Sequence, residues 1–139
     1  MTIDYKFYDT CSLLLKANNL FDTNEHFAIS SITLEELELI KDSNNKDNEI
    51  KYAARRLLHT LDEHHSCYDI HIFTEDMLTP IKDKSLSITN DTKILATAID
   101  YDNKVHPDEV IFVTNDLSLK AIANLFFGDG CIESVEENQ

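Results

Sequence analysis

Four acidic residues stand at points where chemistry concentrates in a folded chain. Asp9 directly follows the aromatic run Tyr5–Tyr8, and Asp116 follows VIFVTN in the same way. Glu36 lies in the helical pattern after the apolar run Phe27–Ile32, and Asp91 lies in ITNDTKIL at the start of another helix. Each has an ordinary local reading. Asp91 and Asp116 are preceded by Asn and followed by an apolar helix, as N-caps are. Glu36, three residues after Thr33, spells a capping box in the first helical turn, and Asp9 suits a cap or a first-turn acid. Their combination is less ordinary. If the strands they border run parallel, Asp9 and Asp116 share one sheet edge, and the helices carrying Glu36 and Asp91 begin at that edge. Four like charges at short range are unfavourable unless protonated or neutralised. No fixed basic partner stands close to them in sequence, Lys93 excepted. A divalent cation with hard oxygen ligands, Mg²⁺ or Mn²⁺, resolves the conflict.

The elements that must position these acids alternate along the chain. Strand patterns occur at Tyr5–Tyr8, Phe27–Ile32, Asp69–Phe73 and Val110–Val113, with Cys131–Val135 as a last edge strand. Helical spacing covers Ser12–Leu20, the run of Leu34, Leu37 and Ile40 up to Lys41, and Glu49 to about His64. It returns at Ile94, Leu95, Ala98 and Ile99, and again at Leu119, Ile122, Ala123 and Phe126. Asp42–Asn48 reads as a polar surface loop. Glu75–Thr89, with Pro80 and alternating Lys and Asp, reads as an irregular, flexible loop. Strands separated by helices predict an α/β domain with a mostly parallel sheet. Crossovers in such a sheet are right-handed, and ligands bind outside the carboxyl ends of its strands.

Composition sets the limits. A chain of 139 residues with 42% hydrophobic and 27% charged residues is read as one soluble domain over 1–139, with an acidic tail at about 134–139. Its two glycines, Gly128 and Gly130, exclude a glycine-rich phosphate cradle. A net charge of -14, from 26 acidic against 12 basic residues, argues against binding nucleic acid by bulk charge. Cys11, Cys67 and Cys131 form no CxxC pair and are odd in number, which fits a reducing compartment. With no apolar run near the roughly 18 residues of a membrane span and no leader-like N-terminus, a cytoplasmic protein is expected. His64, His65 and Cys67 read better as the solvated end of a helix than as metal ligands, because no second ligand pair accompanies them.

Four segments then carry a family resemblance: FYDTCSLL, ISSITLEELELIK, NDTKILATAI and VTNDLSLKAIA. In this order, across residues 5 to 124, they resemble the PIN domain, a small α/β nuclease fold. The spellings D-T-x-x-L-L, E-L, N-D-x-x-I-L-A-T-A and T-N-D-x-x-L look most like PIN modules found ahead of PhoH-like ATPases. The resemblance implies a three-layer α/β/α fold around a twisted five-stranded parallel sheet. It implies active-site acids and metal ligands at Asp9, Glu36, Asp91 and Asp116, with supporting hydroxyls at Thr10 and Thr114. The acid directly before Leu is selected, which is Glu36 rather than Glu35. Cys11 departs from the family, which often has Asn there.

The function implied is metal-dependent hydrolysis of single-stranded or structured RNA, by a water that the cation activates. Lys93 is the leading candidate for a phosphate contact, ahead of Lys51, Arg55, Arg56, Lys82 and Lys84, which suit a solvated surface. A phosphoaccepting receiver domain needs an acidic pair after the first strand and a lysine after the last, and the chain has neither. A haloacid-dehalogenase-type phosphatase needs an acid where Cys11 stands. The alternatives within the fold are a non-catalytic or regulatory metal- or RNA-binding module of a larger PhoH-like ATPase, and the toxin of a toxin–antitoxin pair. The polar ending ESVEENQ leaves room for a downstream ATPase domain in a longer parent chain, and the toxin reading for a homo-oligomer.

Overall fold

Short apolar strands joined by helices rather than tight turns must pair through crossovers, so their partners run parallel. The computed structural model describes residues 2–45 and 47–135. The chain runs β1 (Asp4–Tyr8), α1 (Thr10–Lys16) with a 3₁₀ turn at Ala17–Asn19, β2 (His26–Ser30), α2 (Ser31–Asp42) and α3 (Asn48–Glu63). It continues through β3 (Asp69–His71), a 3₁₀ turn at Glu75–Leu78, α4 (Thr79–Asp83), α5 (Asn90–Val105), β4 (Glu109–Val113), α6 (Leu117–Ala123) and β5 (Ile132–Glu133). The five strands are parallel in the order β3-β2-β1-β4-β5. This is the expected α/β architecture.

Alternation along the strands divides the core between two faces. Phe7, Ala28 and Phe112 pack with Ile94 and Leu95 of α5 and Leu119 of α6. Tyr8, Ile29 and Val113 pack on the other face with Leu13 of α1, Leu37 of α2 and Leu57 and Leu61 of α3. Helices on both faces explain why VIFV is continuously apolar instead of alternating.

The structure corrects several local expectations. Glu75–Thr89 is not one irregular loop: it holds a 3₁₀ turn and α4, and Leu78 and Ile81 are buried in the core. Pro80 sits in the first turn of α4, where a missing N–H breaks no helical bond. The first helix starts at Thr10 and turns 3₁₀ after Lys16. The second strand stops at Ser30, whose side chain accepts from the Ile32 N–H and starts α2. The third strand stops at His71 because its partner Ser30 is the last residue of β2; Phe73 N–H donates instead to Ser31 Oγ. The last strand is the edge pair Ile132–Glu133. Of the loop at 42–48, Asp42 ends α2 and Asn48 begins α3, and Lys46 lies outside the described residues. Most of the predicted acidic tail, residues 136–139, also lies outside them. Among the described residues no helix is long and apolar enough to cross a membrane.

Candidate active site

Chain direction across the sheet reverses between β1 and β4: β2 and β3 lie to one side of β1, β4 and β5 to the other. At such a switch point the loops leaving the two central strands part and open a crevice. Asp9 leaves β1 at this point and Asp116 leaves β4.

Asp9 is 4% exposed. Its Oδ1 accepts from Ser12 N–H at 2.9 Å and Ser12 Oγ at 2.5 Å, and its Oδ2 from Thr114 Oγ1 at 2.6 Å. A buried carboxylate costs free energy unless its oxygens are bonded, and three donors meet that need. Asp9 is thus both the N-cap of α1 and a tie to the end of β4. Thr114, fully buried, accepts from Asp116 N–H at 3.1 Å while donating to Asp9, so one hydroxyl fixes both acids. Asp116 itself caps α6 through Leu119 N–H at 3.0 Å.

Glu36 and Asp91 arrive differently from their sequence reading. Because Ser30 caps α2, Glu36 stands in the second turn, and the Thr33–Glu36 capping box does not form. Instead Thr10 Oγ1 donates to Glu36 Oε1 at 2.5 Å and lies 3.2 Å from the buried Thr33 Oγ1. Glu35 lies elsewhere, beside Leu34 and Leu39 on an open groove. Asp91 is not the cap of α5. Thr89 is, in a reciprocal box with Thr92, which leaves Asp91 in the first turn with its carboxyl directed by no cap bond.

The four acids feel one another. Partial burial pushes the Asp91 carboxyl above its usual pKa, and the charges of Glu36, Asp116 and Asp9 push it further. The Cys11 thiol is raised by burial and then by the same charges, Asp9, Asp91, Glu36 and Asp116. No base relieves them: among the described residues none of the four acids is ion-paired. A raised carboxyl means the folded state resists the charge, so stability from this group is greatest below its unfolded pKa and is lost as pH rises through the folded one. Asp91→Asn is therefore expected to stabilise the metal-free protein at pH 7. Because Asp91, though its carboxyl is partly covered, keeps much of its surface in solvent where charge is screened, the gain is at most about 1 kcal/mol. Thermal unfolding should show a rise of roughly 2–4 °C that vanishes near pH 3; an unchanged or lowered Tm at pH 7 would refute the mutual repulsion.

The donor chemistry fits a hard cation, with a geometric condition. Among the described residues no three His, Cys, Asp or Glu side chains are gathered closely enough to ligate one ion together. Mg²⁺ commonly takes one or two carboxylates directly and keeps several waters. Asp9 and Asp116, fixed through one threonine, with Glu36 and Asp91 reached through water, suit that pattern.

The basic candidates separate. Lys93, in the second turn of α5, places Nζ 5.8 Å from the Phe73 ring centre, just past the carboxyl end of β3. Arg56 lies over Tyr52 in a groove between α1 and α3. His64 caps the end of α3 and stacks on Phe21 at 4.1 Å, and His65 Nδ1 lies 3.2 Å from Asp62 O. Ser12, which makes two of the three bonds to Asp9, was not singled out in the sequence. Its place three residues after a helix-opening acid was the available signal.

Structural comparison finds the same fold in proteins of low sequence identity. VapBC-5, a member of the VapBC family of toxin–antitoxin systems from Mycobacterium tuberculosis, is 15% identical with a TM-score of 0.57, covering 95% of this chain and 98% of that one. VapBC2 from Rickettsia felis, bound to a DNA fragment from their promoter, is 24% identical with a TM-score of 0.56, covering 95% and 99%. PAE2754 from Pyrobaculum aerophilum is 19% identical with a TM-score of 0.58, covering 94% and 83%. No curated protein matches the sequence. The sequence itself matches the PIN domain profile over residues 7–126, which takes in all four acids and the strands that carry them, and the chain belongs to the PIN domain family.

Proposed function

We propose that the protein is a metal-dependent endoribonuclease. The observation that supports this reading is a set of four carboxylates from four separate segments that feel one another's charge near the switch point of the sheet, none of them ion-paired among the described residues. Asp9, Glu36, Asp91 and Asp116 would hold Mg²⁺ or Mn²⁺ partly through its waters, since no three of them are close enough to ligate one ion directly. When bound, the cation supplies Lewis acidity toward a phosphate and neutralises the acids that would otherwise repel it. The chain's own contribution is preorganisation. Ser12 and Thr114 hold Asp9, Thr114 also holds the Asp116 backbone, and Thr10 holds Glu36. Lys93 offers the positive charge nearest in sequence to Asp91 for a flanking phosphate. RNA is the substrate class the family membership favours, in a cytoplasm where Cys11, Cys67 and Cys131 stay reduced.

Two contexts suit this activity. The motif spellings favour a module joined to a PhoH-like ATPase. The fold likeness to two VapBC proteins favours the toxin of a toxin–antitoxin pair, with homo-oligomerisation. A non-catalytic module would keep the acids and bind metal without turnover. Incubation of end-labelled single-stranded RNA with Mg²⁺ or Mn²⁺ separates turnover, common to both contexts, from metal binding alone. Cleavage that stops with EDTA and returns with metal is expected, together with a metal-dependent rise in Tm, since a ligand of the native state stabilises it. A Tm rise with no cleavage would leave the binding-module reading in its place.

A further inference from the structure

Beside Asp91 and Asp116, between the start of α5 and α6, lies a cavity of about 230 Å³ that the acids do not explain. Its walls are Leu86, Leu119 and Ile122, and hydroxyls of Ser87, Thr89 and Ser118 line it. No basic side chain lines it. A phosphate would therefore meet only carboxylates here, whereas a neutral, flat heterocycle meets apolar faces and hydroxyls able to donate or accept.

One wall is rigid by construction. α4 ends in a paired C-terminal motif: Ser85 N–H donates to Lys82 O at 2.9 Å and Leu86 N–H to Ile81 O at 3.2 Å. Ser85 itself takes a left-handed conformation with φ of 58°, a strained choice for a side-chain-bearing residue. Thr92 Oγ1 then donates to Ser87 O at 2.9 Å, pinning the segment to α5. The segment thereby turns Leu86 inward and leaves Ile88 outside, 47% exposed. Leu117, which does not line the cavity but stands between its lining residues Asp116 and Ser118 in sequence, is 79% exposed.

We propose that this cavity is a nucleobase subsite, taking the base of a nucleotide next to the cleaved phosphate against Leu86, Leu119 and Ile122. The inference rests on the ribonuclease reading for its biological use, but its binding step does not depend on catalysis. Apolar contact with these aliphatic walls tolerates any base, and hydroxyls that rotate between donor and acceptor add little preference.

Two measurements test it. In the first, neutral nucleosides are titrated into the protein while methyl resonances of Leu86, Leu119 and Ile122 are followed. Saturable shifts are expected at these three, and their loss in Ser118→Trp, an exposed rim substitution that leaves the core untouched. In the second, RNAs carrying a single abasic nucleotide at successive positions are cleaved in the presence of metal. One position beside the cleaved bond should lower kcat/KM by roughly 10-fold, and Ile122→Trp, which adds bulk at the cavity wall, should erase that dependence. Unmoved methyls, or cleavage indifferent to every abasic position, would overturn the subsite. Methyl shifts without any RNA cleavage would instead remove the ribonuclease reading and leave the subsite standing.

Discussion

Asp9→Asn is expected to lower metal-dependent RNA cleavage by about 100- to 1,000-fold, the usual loss when one preorganised electrostatic contact is removed from an active site. The fold should survive. Asn is as good an N-cap as Asp, so α1 keeps its start. The damage is local: Asp9 receives bonds from Ser12 N–H, Ser12 Oγ and Thr114 Oγ1, and an amide presents one accepting atom instead of two. One donor must turn away, at a cost of about 1–3 kcal/mol. Circular dichroism should show native secondary structure with a lowered Tm, and gel assays on labelled RNA should show the lost cleavage. Cleavage at the wild-type rate would remove Asp9 from the site and, with it, the four-acid reading.

The second large effect is on stability. Phe7→Ala is expected to cost about 3–5 kcal/mol, a large part of the 5–15 kcal/mol typical of a whole domain. Phe7 is fully buried at the centre of the sheet, in register with Ala28 on one side and Phe112 on the other, with its ring 5.9 Å from that of Tyr101. Neighbours on both strands cannot collapse into the space, because the ladder fixes their backbones. Thermal unfolding followed by far-ultraviolet circular dichroism should fall by roughly 10 °C or more. A fall under about 3 °C would mean that the centre of the sheet is not packed as described. The site depends on this packing, since β1 delivers Asp9 to the edge two residues after Phe7.

The charge of -14 reads differently once these positions are known. Part of it gathers at one edge of the sheet, where burial and then the neighbouring acids raise both the Asp91 carboxyl and the Cys11 thiol. A surface that repels phosphate in bulk thus concentrates its repulsion where a cation can reverse it.

Several features of this protein follow from local order along the chain. VIFV is apolar because both faces of its strand are buried, and Asp9 and Asp116 sit directly after strands because acids there cap the helices that follow. Spacing alone shows these patterns. Other features required the folded chain. The family pattern already selects Glu36 over Glu35, but what holds its carboxylate, the Thr10 hydroxyl from 26 residues away, is set only by the fold. The start of α2 at Ser30 and of α5 at Thr89, each one or more residues before the acid-based caps that the sequence spelled, is set by side-chain bonds that compete with those spellings. The helix hidden in Glu75–Thr89 appears only because Leu78 and Ile81 find the core. Most of all, Thr114 meets Asp9 across 105 residues because β4 lies beside β1. Periodicity reports which way a residue faces along its own element; strand order determines which residues from distant elements come to face one another.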